Sequence, residues 1–168
     1  MSVRVEETAY DDPRVQRLVE AVQAEYVERY GSPDDSPMEA GAFAPPRGRF
    51  FVALAGDEPV AMGGWRLRPD LVDLGGSRAA EVKRMYVAPA ARRSGLARLV
   101  LRRLEDSARE DGCDLLVLET GLMQPEAIEL YESSGYVPVT PFGHYKDSPL
   151  SRYFGRRLVD WSGPEPKP

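Results

Sequence analysis

The residues best placed for chemistry lie in the segment VAPAARRSGLARLVL, residues 87–101. Arg92 and Arg93 stand directly before a Ser–Gly pair, and a run with helical apolar spacing follows. We expect a helix to begin after Gly95, where its dipole is positive and four backbone N–H groups lack partners. Two arginines are unfavourable at such a place unless an anion binds there. The segment therefore predicts an anion site.

The features of this predicted site are those of a pyrophosphate cradle. A turn from a strand into a helix directs several N–H groups into one concavity, and a glycine lets a ligand approach closely. A Walker-type loop and a G-x-G-x-x-G fingerprint are both missing from this segment. An ordinary helix start with chance arginines is the alternative, because the chain is rich in arginine. The residues expected to contact the anion are Arg92, Arg93, Ser94, Gly95, Leu96, Ala97 and Arg98.

The elements that must position this loop alternate between strands and helices. The run DLLVLETG, residues 114–121, is continuously apolar, which is typical of a strand covered on both faces of a parallel sheet. Residues 81–119 therefore predict a strand, a crossover helix and a parallel strand. The other predicted elements are a strand in 2–10, helices over 13–30 and 125–134, a short helix near 38–43, a hairpin over 49–67, and last strands in YVPV and SRYFGRRL.

Length and composition limit the class of protein. The 168 residues predict one domain over 1–160 and a disordered tail over 161–168. No apolar run approaches the roughly 18 residues of a membrane span, and the N-terminus is too polar for a secretion signal, so we expect a cytoplasmic protein. The net charge of −5 disfavours nucleic acid as a partner. A single cysteine and a single histidine exclude an internal disulfide and a zinc site with several histidines, and no metal is expected.

Two motifs together resemble the GNAT family of N-acetyltransferases. The first is Arg-x-x-Gly-x-Ala, from Arg92 to Ala97, with Val87 and Pro89 upstream, and the second is AIELYESSGYV about 30 residues later. The resemblance covers most of the chain. It implies an α/β fold with a central mixed sheet, a splayed parallel strand pair and flanking helices. It also implies that the arginine loop binds the pyrophosphate of acetyl-CoA, and that the acetyl group passes directly from this co-substrate to an amine.

The resemblance implies roles for further residues. The backbone of Met85, Tyr86 and Val87 is expected to pair with the pantetheine arm, like an added strand. Tyr131 matches the family's tyrosine that protonates the departing thiolate; because aromatic residues at this helical spacing usually pack, a packing role is the alternative. Gln124 stands where the family often has asparagine, so it is a candidate for a contact to the same arm.

The acceptor amine needs a base, because an alkylammonium has a pKa near about 10.4 and no lone pair for attack. Glu81 is the first candidate, since related enzymes carry a glutamate there that acts through water. It shares its strand with Lys83 and Arg84, and charges in a central strand need partners or a cavity. Alternatively, Glu81 pairs with Arg78 or Lys83 at an exposed strand end. Glu119 is the second candidate, and a capped strand end is the alternative for it.

The acceptor is expected to be a small cationic amine, because Asp34, Asp35 and Glu39 lie in the loop beside the expected entrance. The sequence does not identify this amine. An acyl-CoA-binding regulatory module without catalysis and a protein or peptide N-acetyltransferase are the alternative functions. The last strands are candidates for a homodimer interface. Cys113 and His144 are interpreted as a structural thiol and a surface histidine.

Overall fold

In the computed structural model, which describes residues 2–35, 38–72 and 74–158, the chain forms one mixed sheet flanked by helices. The predicted tail over 161–168 lies outside the described residues. The strands are β1 (Val3–Thr8), β2 (Gly48–Ala55), β3 (Glu58–Leu67), β4 (Ala79–Val87), β5 (Leu115–Gly121), β6 (Val137–Pro138) and β7 (Ser151–Arg157). The α-helices are α1 (Pro13–Tyr30), α2 (Leu96–Glu110) and α3 (Pro125–Ser133), and 3₁₀ turns occur at Ala40–Phe43 and Pro89–Ala91.

The strand order in the sheet is β1-β2-β3-β4-β5-β7-β6, and β4 and β5 are its parallel pair. Their ladder is short: Ala79 lies opposite Leu115, and Glu81 opposite Val117 is the last registered pair in the described chain. Both strands continue beyond this point, so they diverge and leave a gap in the sheet. The predicted mixed sheet with a splayed parallel pair is confirmed.

A β-bulge interrupts β4 inside this gap. Met62 of β3 lies opposite Tyr86 and Gly64 lies opposite Lys83, so β4 has one more residue than its partner. Arg84 takes up the extra length with φ of +61°, in the left-handed region that side chains other than glycine rarely adopt. Bulges of this kind redirect side chains and often lie beside functional sites. The side chains of β4 therefore do not alternate regularly between the two faces of the sheet.

The two faces of the sheet are covered by different helices. Along β2, Phe50, Val52 and Leu54 pack with α1, while Phe51 and Ala53 belong to the cluster formed with α2. This alternation follows from the two-residue period of a strand. The splayed end of the β4–β5 pair therefore opens between two helical layers.

The ends of α1 carry ordinary capping interactions. The Asp12 carboxylate accepts the backbone N–H of Arg14 at 2.8 Å, and Pro13 occupies the first helical position. Gly31 ends the helix with φ of +82°. These signals lie next to one another in the chain, which is why the bounds predicted for this helix agree with the structure.

Candidate active site

One cavity, termed the loop cleft, lies where β4 leads into α2. Its volume is about 570 Å³, and residues 85–87, 91–93 and 95–98 line it together with parts of α1 and α3. The cleft thus brings together all but one of the residues expected to hold the cofactor. Ser94 does not line it; instead its hydroxyl donates a hydrogen bond to the carbonyl of Ala91.

The start of α2 presents open backbone N–H groups to the loop cleft. Arg93 and Gly95 both have positive φ, +63° and +82°, so the chain turns sharply twice before the helix. Gly95 occupies the N-cap position and provides no side-chain cap, and the first turn contains no acidic residue. The unpaired amides and the helix dipole make this a place where an anion is stabilised.

The arginines beside these amides differ in what they contact. Arg92 donates from Nε to the carbonyl of Val87 at 2.9 Å and from Nη2 to Glu25 at 2.7 Å. Arg98 donates to the hydroxyls of Ser134 and Ser133, at 2.9 and 3.0 Å, and so joins α2 to the end of α3. Arg93 is exposed. Arg92 and Arg98 are therefore bound to the walls of the cleft, and Arg93 adds a further exposed cation to its lining.

The second cavity, termed the splay cavity, fills the gap between the diverging strands. Its volume is about 270 Å³, and it is lined by residues 82–85 of β4 and 118–121 of β5, with parts of α1, α3 and the loops around residues 32–34 and 145–151. The two cavities meet at a set of residues that line both. These residues are Tyr26, Met85, Gln124, Ala127 and Tyr131.

Tyr131 is buried at this junction, with 5% of its surface exposed. Its ring lies edge-on to Tyr136, with ring centroids 5.7 Å apart, and also contacts Phe154. Burial raises the pKa of Tyr131, and the nearby Tyr26 and Glu119 raise it further. The hydroxyl is therefore protonated at neutral pH. Tyr131 therefore has the ring contacts that a packing role requires. It also lines both cavities, as a proton donor would have to do.

The two candidate bases occupy different environments. Glu119 lines the splay cavity, and burial raises its pKa, opposed by the positive charge of Lys83. Glu81 is 4% exposed and does not line that cavity. Its Oε1 accepts hydrogen bonds from Arg68 at 2.6 Å and from Arg66 at 3.1 Å. Glu119 is thus the glutamate that faces the gap, and Glu81 is held in a buried ion-pair cluster.

The partners of Glu81 correct one expectation from the sequence. Arg78 and Lys83 were the neighbours expected at an exposed strand end, whereas the buried carboxylate is paired with Arg66 and Arg68. The reason is the antiparallel register of β3 and β4, which places Arg66 directly opposite Glu81. Such cross-strand neighbours lie far apart in sequence, so spacing along one strand does not identify them.

Gln124 is held at the junction by the end of α1. Because Gly121 has no Cβ, the hydroxyl of Tyr30 fits beside it. A side chain at position 121 would clash with this hydroxyl. That hydroxyl accepts the backbone N–H of Met123 at 3.2 Å and lies 3.4 Å from Nε2 of Gln124. The start of α3 is therefore positioned by a contact between distant parts of the chain.

Two loops are joined over the splay cavity. The hydroxyl of Tyr145 lies 2.8 Å from a carboxylate oxygen of Asp34 and 2.8 Å from one of Asp35. His144 Nε2 lies 3.0 Å from Asp35 Oδ1, and Asp34 Oδ2 lies 3.5 Å from Nη1 of Arg84. The carboxylates expected to attract a cation are therefore already engaged by neighbours.

Several of these cavity residues escaped the sequence analysis. Tyr26, Tyr30 and Tyr145 belong to no motif, although the charges of Lys83 and Arg84 within a buried strand did indicate a cavity or partners.

Cys113 is 2% exposed, and burial raises the pKa of its thiol. Within the described ranges, no helix is long and apolar enough to cross a membrane, and no group of three or more His, Cys, Asp or Glu side chains is arranged to hold a metal ion.

Comparison with known proteins adds the family. Residues 15–136 match the family described as acetyltransferase (GNAT). A relative in Azospirillum brasilense, IAA acetyltransferase, is 34% identical over 144 residues, which cover 86% of this chain and 90% of that protein.

Solved structures agree with that result. A protein of Klebsiella pneumoniae, named as an acyl-CoA N-acyltransferase, superposes with a TM-score of 0.76 at 28% identity and covers 94% of this chain and 98% of its own. The ribosomal-protein-S18-alanine N-acetyltransferase of Escherichia coli has a TM-score of 0.65 at 18% identity, with 99% of both chains covered, and so shares the fold.

Proposed function

Because the chain belongs to the acetyltransferase (GNAT) family, we propose that it transfers an acetyl group from acetyl-CoA to the amine of a small molecule. The observation that carries this proposal is the junction of the two cavities at Tyr131 and Gln124. One cavity has the amides and cations suited to a pyrophosphate, and the other has a buried carboxylate suited to an amine. A thioester at the junction would face both.

The co-substrate is bound in the loop cleft in this proposal. The pyrophosphate takes hydrogen bonds from the amides of residues 95–98 and charge from Arg93, while Arg92 holds the loop against β4. The pantetheine arm runs along Met85, Tyr86 and Val87, with Gln124 on its other side. The bulge at Arg84 turns backbone N–H groups of β4 towards the gap, where they polarise the thioester carbonyl.

The chemical step uses two residues of the junction. Glu119 takes a proton from the acceptor ammonium, directly or through water, and the free amine attacks the thioester carbon. The tetrahedral intermediate collapses with cleavage of the carbon–sulfur bond, and Tyr131 supplies the proton to the leaving thiolate. The nitrogen of the new amide loses its second proton, which returns to the phenolate of Tyr131. The raised pKa of Glu119 suits this task, because a base is most useful when its pKa approaches the working pH. Glu81, the first candidate base from the sequence, takes second place in this proposal.

A small acceptor is favoured by the size and cover of the splay cavity. Its volume is about 270 Å³, and the Asp34–Tyr145 contact joins two loops beside it. The name of the A. brasilense relative supports acetyl transfer as the activity. A cytoplasmic location and a homodimer stay predictions from the sequence.

The proposal is tested by following release of the CoA thiol from acetyl-CoA with a panel of amino acids, polyamines, aminoglycosides and peptides, alongside calorimetry with CoA. We expect CoA to bind and one class of small amine to be acetylated. Binding without turnover over the whole panel would favour the regulatory module. Turnover with peptides alone would favour a peptide N-acetyltransferase, and absence of CoA binding would overturn the proposal.

A further inference from the structure

Arg84 has buried hydrogen-bond donors that lack acceptors. Its side chain is 5% exposed, and the residue lines the splay cavity at the bulge of β4. Its Nε and Nη1 are shielded from solvent, and neither has a hydrogen-bond partner in the described part of the chain. Asp34 Oδ2 lies 3.5 Å from Nη1, which is within ion-pair range but without hydrogen-bond geometry.

This arrangement is unfavourable for the protein alone. A guanidinium keeps its charge at all ordinary pH values and offers N–H donors in a planar fork that matches a carboxylate. Buried donors without acceptors destabilise the folded state, and the positive φ of Arg84 adds backbone strain. Polar groups without partners and strained residues are often found at functional sites, where a bound ligand provides the missing hydrogen bonds. Oxygen acceptors are therefore what these donors lack, and one carboxylate can complete the fork along one edge of the guanidinium.

Both signs of charge face the splay cavity. Glu119 and Arg84 line the same 270 Å³ space, and Asp34 and Lys83 line it as well. Burial raises the pKa of Tyr26, and Asp34 and Glu119 raise it further, while the guanidinium of Arg84 opposes them, so the Tyr26 hydroxyl lies near all three charges. The lining of this one cavity therefore includes both a glutamate and an arginine.

We propose that Arg84 binds the carboxylate of the acceptor, so that the acceptor is a free α-amino acid whose ammonium lies towards Glu119. This inference rests on the proposed acetyl transfer and names its substrate class. Asp34 covers the guanidinium in the absence of substrate. Its Oδ1 has Tyr145 at 2.8 Å, so its charge keeps a partner when the substrate carboxylate takes its place. The purely cationic amine expected from the sequence is thereby replaced by a zwitterion.

The test compares the twenty amino acids with their carboxamides as acceptors for wild type and Arg84→Gln. For the best amino acid, the variant should lower kcat/KM about 10- to 100-fold, mainly through KM, because a charge-assisted hydrogen bond is lost. For the matched carboxamide, kcat/KM should change by less than about threefold. Because the amine of a carboxamide loses its proton more readily, the comparison is made between the two proteins for each acceptor.

Further variants separate binding of a carboxylate from a purely structural contact. Arg84→Lys keeps the charge and should recover part of the lost affinity, and Arg4→Gln, on β1 at the far edge of the sheet, should match wild type. Asp34→Asn removes the competing carboxylate and should lower KM for the amino acid or leave it unchanged. If Arg84 only holds the loop through Asp34, the Asn and Gln variants should act alike and affect both acceptors equally.

The outcomes distinguish this inference from the proposed function. An unchanged affinity of Arg84→Gln for CoA shows that this variant is folded. Acetylation of amines with no dependence on a carboxylate, or equal losses for acid and amide in Arg84→Gln, would overturn the inference and leave the acetyltransferase intact. If CoA binds but no amine is turned over, calorimetry with the amino acids decides: binding weakened by Arg84→Gln supports the inference, and no binding overturns it.

Discussion

The loop cleft and the splay cavity are built in different ways. In the loop cleft, the groups proposed to bind the anion come from one continuous segment, residues 85–98, which provides backbone amides and three arginines. The splay cavity takes side chains from two strands, two helices and two loops that are far apart in sequence. A motif can therefore describe the first cavity, whereas the second exists only after the sheet has formed its register.

The electrostatics of the two cavities differ for the same reason. The positive potential at the start of α2 comes from the helix itself and needs no distant residue. In the splay cavity each charge depends on another, as Lys83 opposes the raised pKa of Glu119 and Asp34 lies beside Arg84. We expect substitutions in the splay cavity to change the chemical step or the affinity for the acceptor, and substitutions in the loop cleft to change the affinity for acetyl-CoA.

The largest effect is expected for Glu119→Gln. Loss of the base should lower kcat about 10³-fold near neutral pH. In wild type, kcat/KM should fall as pH drops through the raised pKa of Glu119, because the protonated carboxyl cannot accept a proton. The variant should lack this acid limb and recover part of its rate at high pH, where the amine is already deprotonated. A pH–rate profile of unchanged shape and height would exclude Glu119 as the base.

Tyr131→Phe should lower kcat about 10²-fold with little change in the KM for acetyl-CoA. The substitution removes the proton donor but keeps the ring contacts with Tyr136 and Phe154. Steady-state kinetics and thermal unfolding of the same preparation provide the measurement. An intact kcat would show that Tyr131 serves packing alone.

Arg93→Ala should raise the KM for acetyl-CoA about tenfold and leave kcat nearly unchanged, because an exposed cation binds substrate and transition state alike. The effect should shrink at high salt, which screens exposed charges. Arg92→Ala should raise the same KM at least as much, since it also frees the loop from Val87 and Glu25. A double variant with the KM of wild type would contradict the assignment of the loop cleft to pyrophosphate.

The smallest effect on kcat/KM is expected for Glu81→Gln. Because Glu81 is bound by Arg66 and Arg68, its loss should leave kcat within about threefold and keep the acid limb of the pH profile. The free energy of unfolding should fall by about 1–3 kcal/mol, since two partly buried cations each lose one buried partner. Loss of the acid limb here, rather than in Glu119→Gln, would restore Glu81 as the base.

Local features of the chain were sufficient for much of the fold. Helix α1 begins at Pro13 after the Asp12 cap and ends before Gly31, and the structure has the same bounds. An apolar run preceded by a strand and a helix predicted the parallel pair, which is β4 and β5 in the structure. The predicted hairpin corresponds to β2 and β3. These predictions succeed because caps, turns and periodicity act between residues that are close in sequence.

By itself, the sequence determined the family resemblance, the position of the turn proposed to bind pyrophosphate and the presence of unexplained charges in β4. Only the tertiary structure decided which charges face the cavity. The bulge at Arg84, the pairing of Arg66 with Glu81 and the fit of Tyr30 against Gly121 depend on strand register and on contacts across the fold. The physical reason is that a one-residue change of register moves side chains to the opposite face of a sheet, and no local pattern encodes that choice.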